Sequence, residues 1–188
     1  MKKISLFLIV FTILGCSSQE SLDVESANKQ GILLLDNGTE PQGLDPHIVT
    51  GVPEHHLLIT MCEGLTISNP EGGANLPGMA ESWEISEDGK TYIFNIRKDA
   101  KWSNGDDFLA EDIVWSWMRV LTPSLGSQYP DMLYYVVGAE EFNTGVITDF
   151  SKVGVKAIDA KTLEVKLKNP TPFFLGLLSH YSTWPVHK

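Results

Sequence analysis

The side chains able to do chemistry come mostly as sequence neighbours. His55 and His56 are adjacent, as are Asp106 and Asp107, Glu111 and Asp112, and Glu140 and Glu141. Adjacent residues on a helix point about 100° apart, so His55 and His56 cannot grip one metal as an i, i+4 pair would. Neighbouring carboxylates do not face one reaction centre either, and solvated turns or the first turns of helices account for them more simply. Trp83, Trp102, Trp115 and Trp117 could suggest a sugar-stacking platform, yet they fall on a strand, a loop and a helix, where core packing explains them better. Cys62 sits among Leu58, Ile59, Met61 and Leu65, the setting of a small buried hydrophobe rather than a reactive thiol. The sequence has no HExxH, nucleophile elbow, phosphate loop or dinucleotide glycine pattern. No catalytic residue, no metal and no cofactor is expected.

The elements that carry these residues are clearest between Ala80 and Trp117. Glu87, Asp88, Gly89 and Lys90 are turn formers, and Tyr92, Phe94 and Ile96 then alternate with Thr91, Ile93 and Asn95, which predicts a hairpin. Trp102 anchors a tight polar loop, Ser103 to Asp106. From Ala110 the period becomes helical, with Ile113, Trp117 and Leu121 four apart, and Pro123 supplies the stop. Leu109, where a cap belongs, has no side-chain acceptor, a loss of roughly 1 kcal/mol unless Asp106 or Asp107 substitutes. A second hairpin is predicted from Val153 to Leu167 around Asp159-Ala160-Lys161.

The other segments read less sharply. Ser17 to Lys29 is polar without a period, as in a tether. Ile32 to Leu35 reads as a buried strand, and Ile48 to Val52 as an extended piece before a helix that begins at Glu54. Leu57, Leu58, Met61, Cys62 and Leu65 would give that helix its apolar face. Met132 to Phe142 reads as a helix with a broken face.

The run Ala80, Ser82, Trp83, Asp88, Gly89, Tyr92, Phe94, Arg97, Lys101 to Asp106, Ala110 and Asp112 resembles the signature of the extracytoplasmic peptide-binding proteins of ABC importers, the oligopeptide and dipeptide binding family. Asn37 to Pro41, Leu44 to His47, Glu63-Gly64-Leu65, Gly154 to Ala157 and Thr183 to Lys188 fit the same family. The resemblance implies an α/β, two-lobed periplasmic-binding-protein-like fold of class II with an extra subdomain, of which this chain is expected to be only the N-terminal part. Residues 31–50 would start the first lobe, 51–146 form the extra subdomain and 147–188 return to the lobe. The resemblance also implies a receptor that captures oligopeptides, serves ABC transporter permease subunits and works as a monomer without altering its cargo. A receptor for many peptides pairs with their main chain as an added strand and leaves side chains in roomy, hydrated pockets. By that resemblance Thr50, Gly51 and Val52 pair with the ligand backbone, and Tyr129 lines the pocket. Known peptide binders carry Glu where this chain has Thr50, so one charged acceptor is gone. From the residues alone, Thr50 to Val52 are a linker before a helix and Tyr129 a loop aromatic against Pro130. A nickel complex, an oligosaccharide or another small solute is the alternative cargo, and a secreted hydrolase the alternative class.

Lys2 and Lys3 precede an apolar run, Ile4 to Leu14, too short for a membrane anchor, which needs about 20 residues. A basic tip and a short greasy core make a secretory signal over residues 1–15. Gly15-Cys16-Ser17 resembles a bacterial lipobox, so Cys16 is expected to carry lipid and to tether the protein, through residues 16–30, to a membrane facing the periplasm or the outer cell surface. Fourteen Lys and Arg against 24 Asp and Glu give a net charge of −10. Without a clustered basic face no nucleic-acid partner is expected.

Overall fold

The computed structural model describes residues 23–188. The expected leader, Cys16 and the first part of the tether lie outside the described residues. The chain divides into two compact units, Met1–Asp36 and Asn37–Lys188.

In the first unit, α1 (Val24–Lys29) is helical where a tether was expected. Asp23 caps it by accepting from the Ser26 amide at 3.0 Å, and Lys29 pairs with Glu25 one turn away at 2.8 Å. Ile32 to Leu35 is not the expected buried strand. No strand pairs with it among the described residues, and Leu33 and Leu35 stand 77% and 74% exposed. An apolar run alone cannot make a strand without a partner for its backbone.

The second unit opens with α2 (Val52–Met61), followed by a two-residue ladder between β1 (Thr66–Ile67) and β2 (Leu76–Pro77). Its body is an antiparallel sheet of β3 (Ala80–Ile85), β4 (Thr91–Ile96), β5 (Val155–Ala157) and β6 (Thr162–Lys166), in the order β3-β4-β6-β5. Both predicted hairpins are present. The seam expected at 146/147 runs through this sheet, because β4 pairs directly with β6; residues 37–188 are one compact unit, and any division into lobe and subdomain falls inside it.

The predicted alternation on β4 puts Tyr92, Phe94 and Ile96 on the buried face, where Leu163 and Val165 of β6 join them. Against that face lies α3 (Ala110–Leu121), burying Ile113, Trp117, Val120 and Leu121. Its start is secured from within. Asp112 accepts from the Leu109 amide at 2.8 Å, the reciprocal half of a capping box, and from the Trp102 indole at 3.0 Å. Neither Asp106 nor Asp107 substitutes, since their carboxylates are taken by Asn104 and His187 and by Lys101.

The single helix expected over Met132 to Phe142 is not formed. A 3-10 turn, Pro130–Leu133, is followed by a bridge between Val136 and Leu167 and then by the short α4 (Ala139–Asn143). The Val137 amide donates to the Lys166 carbonyl and its carbonyl accepts from Gly154, which stitches this stretch to the sheet edge. Gly138 turns the chain with φ +73°, where a Cβ would lie 2.8 Å from the Lys152 carbonyl oxygen. Beyond β6 come α5 (Phe174–Leu177), a 3-10 turn at Tyr181–Thr183 and an extended end.

Candidate functional site

Pro46 to Ile48 form a turn in which the Asp45 carbonyl accepts from the Ile48 and Val49 amides, each at 3.1 Å. Helix α2 then starts at Val52, two residues before the expected Glu54, with Gly51 as its extended N-cap and Pro53 in its first turn. The stretch expected to be extended, Ile48–Val52, therefore shrinks to Val49–Gly51 between the turn and the helix, with Gly51 in extended conformation.

The four residues implied by resemblance are placed as follows. Thr50 is exposed and lines a cleft of about 500 Å³ together with Gln42, Asp45, Glu54 and Gln128. Gly51 is half-buried, and Val52 stands 65% exposed. Tyr129 is half-buried, its ring edge-on to His180 at 5.2 Å and to Tyr181 at 6.3 Å. Val52 and Tyr129 do not line the Thr50 cleft. The link between the two stretches is indirect. Val49 and Tyr129 both rest on a small cluster of Leu58, Tyr181 and Trp184, and Gln128 brings the chain before Tyr129 to the cleft wall. Burial, then the neighbouring Tyr129 hydroxyl and the Glu54 carboxylate, push the Tyr181 phenol up to about 12.

Several residues escaped sequence reasoning. Glu54 is 3% exposed and accepts from the Gln42 amide at 2.5 Å. Its carboxylate lies so close to Gly51 that a Cβ there would come within 1.9 Å of Oε2. The available signal was its place three residues after the cap, where a glutamate reaches back toward the helix start. Arg119, in the last turn of α3, donates to both oxygens of Asp45, at 3.0 and 2.5 Å, and to His47 Nδ1 at 2.9 Å. His47 is 1% exposed, and its Nε2 meets the Trp184 carbonyl at 2.8 Å. Burial alone would raise the Asp45 carboxyl, but hydrogen bonds from Arg119 and the His47 amide, with the guanidinium charge, hold it below the ordinary carboxylate range. Burial first, and the Arg119 charge after it, hold His47 below the ordinary imidazole range.

At the other end of α2 a second cavity of about 600 Å³ is lined by His55, Met61, Cys62, Glu63, Ser179 and Trp184. Cys62 is exposed there, not the buried hydrophobe expected, because α2 turns only Leu58 and Glu54 fully inward. Among the described residues no group of three or more His, Cys, Asp or Glu is arranged to hold a metal.

The sequence pattern of the bacterial extracellular solute-binding proteins, family 5, matches residues 76–188, more than half of the chain. The periplasmic oligopeptide-binding protein OppA of Escherichia coli is 46% identical over 169 residues, 88% of this chain and 30% of its own length. The oligopeptide-binding protein OppA of Bacillus subtilis is 43% identical over 150 residues, 80% of this chain and 27% of its own. A probable deoxycholate-binding periplasmic protein of Escherichia coli is 35% identical over 161 residues, 84% of this chain and 29% of its own. The crystal structure of Haemophilus influenzae OppA in complex with RPPGFSPFR superimposes with a TM-score of 0.76 at 41% identity, covering 81% of this chain and 30% of that one. The chain thus spans 27–30% of the length of these relatives.

Proposed function

The chain belongs to the bacterial extracellular solute-binding proteins of family 5, and from that premise we propose that it forms one wall of a receptor that captures oligopeptides outside the cytoplasmic membrane and delivers them to an ABC permease. The peptide lies as an added strand against the main chain of Thr50, Gly51 and Val52, where the extended Gly51 passes into the first residue of α2, and Tyr129 lines the space its side chains enter. The observation that carries this reading is the course of Val49 to Gly51. Val49 and Thr50 lie outside the helices and sheets and Gly51 is extended, Thr50 opens into a cleft, and Val49 shares its packing cluster with Tyr129. The opposite wall comes from polypeptide outside these 188 residues, and closure of two lobes encloses the cargo. The cargo leaves unaltered, the receptor works as a monomer, and lipid on Cys16 keeps it at the membrane.

Mass spectrometry of ligand released from the purified full-length protein tests the proposal. Peptides of mixed sequence, rebinding with measurable heat in calorimetry, are the expected result. A single non-peptide species would replace the peptide with another solute, a reading favoured by the 35% identity to a relative named for deoxycholate binding.

A further inference from the structure

We propose that Asp45, His47 and Arg119 are positioning residues that hold Val49–Gly51 in its ligand-pairing shape before any ligand arrives. The inference rests on the reading of that segment given above.

Arginine can only donate, so the ring nitrogen it meets at 2.9 Å, Nδ1 of His47, must accept. The proton of the neutral ring therefore sits on Nε2 and is donated to the Trp184 carbonyl at 2.8 Å. Asp45 closes the circle by accepting from Arg119 with both oxygens and from the His47 amide at 3.0 Å. Three stretches far apart in sequence meet at this one buried ring. Its effect reaches the cleft directly, since Asp45 lines it, and Thr50 follows His47 by three residues. The far side is fastened as well, since Glu54 in α2 holds the Gln42 amide at 2.5 Å. Pairing a peptide with a mobile segment would require ordering that segment at the moment of binding. A segment already fastened at both ends avoids that cost. Because the gain passes through the backbone, it is the same for every peptide side chain.

Protonation supplies a second handle. A proton on Nδ1 of His47 would face the Arg119 guanidinium, donor against donor, with Asp45 the counter-charge on the loop side and the Trp184 carbonyl on the other. Acid therefore loosens the network from its centre.

The test uses the full-length protein with Arg119→Met, Arg119→Lys and His47→Gln. Calorimetric affinity is measured for peptides of one length carrying lysine, leucine or glutamate side chains, with hydrogen exchange of the Thr50 and Gly51 amides alongside. Arg119→Met should weaken every peptide by about tenfold or more, by the same factor, and should speed exchange at both amides; Arg119→Lys should restore part of each. Unchanged affinities with only a lowered melting temperature would overturn the proposal, as would a loss confined to one side-chain type. If Arg119→Met does not fold, the unmodified protein decides, titrated down from pH 7.5 until the NMR signal of the His47 ring reports its protonation. A uniform loss of affinity with faster exchange as the ring takes up its proton, persisting in His180→Gln, supports the proposal, and a flat response with the ring protonated overturns it. Were the unmodified protein to bind no peptide, the reading of Thr50–Val52 would fall, while exchange in Arg119→Met would still show whether the network orders the segment.

Discussion

Phe94, Phe108, Ile113 and Trp117 meet between the sheet and α3 with almost no exposed surface, whereas α2 buries only Leu58 and Glu54 and leaves Val52, Ile59 and Met61 about half or more in solvent. The first region is held by apolar area, roughly 25 cal/mol for each Å² removed from water. The second is held by a three-residue cluster and by hydrogen bonds to charged groups, Asp45 with Arg119 and Glu54 with Gln42. A scaffold held by many contacts tolerates the loss of one without changing what it presents. A surface held by a few charged hydrogen bonds is more easily displaced, and elements of low local stability are the ones from which binding surfaces are drawn.

That contrast is open to attack by mutation. Phe94→Ala, in the sheet core, should cost about 3–5 kcal/mol in denaturant unfolding, with ligand affinity of the folded fraction unchanged. A loss below 1 kcal/mol would show that the core is less completely packed than described. Asp45→Asn should cost less, about 2 kcal/mol, because it weakens hydrogen bonds to a charged group rather than opening a cavity. Its affinity for peptides should nevertheless fall, the reverse of the Phe94 pattern. Gly51→Ala should cost about 1 kcal/mol, because the new Cβ drives the Glu54 carboxylate from the Gln42 amide. Exchange of the Gln42 amide would report it directly.

The pH dependence of stability sharpens the same comparison. His47 has a lowered pKa in the folded state, so its contribution is fully present above the unfolded value near 6.5 and is lost as pH falls toward the lowered folded value. Unfolding free energy should drop across that interval by at most about 1.4 kcal/mol per pH unit for this one proton. His180, lowered by burial and by the His55 charge, acts in the same direction. His47→Gln should therefore flatten the profile in part, and a profile unchanged by that variant would remove His47 from the account. Least of all should be the effect of Lys101→Ala, which breaks an exposed pair with Asp107; no measurable change in melting temperature is expected.

How much of this was legible in the sequence follows the same division. The strand alternation from Thr91 to Ile96 and the four-residue spacing of Ile113, Trp117 and Leu121 are signals of residues buried on one face, and the body obeys them. Met132 to Phe142 read as a helix with a broken face but answered to Lys166 and Gly154, partners that no local period reveals. The apolar runs at Ile32 to Leu35 and Met61-Cys62 announced burial that the described residues do not provide. At the candidate site, Thr50, Gly51, Val52 and Tyr129 came from resemblance alone. The Asp45–Arg119 contact spans 74 positions, and nothing in either residue's neighbourhood points to the other. Only Glu54 left a local trace, in its distance from the cap.

The central claim, that Thr50 to Val52 pair with the main chain of a peptide, is tested most directly by backbone methylation of the ligand. A tight-binding peptide would be compared, on the full-length protein, with copies N-methylated at one amide at a time and with copies altered at one side chain at a time. The account predicts that methylation at one or two amides weakens binding at least tenfold while side-chain changes matter little. Binding indifferent to methylation at every position, yet sensitive to side-chain identity, would contradict it.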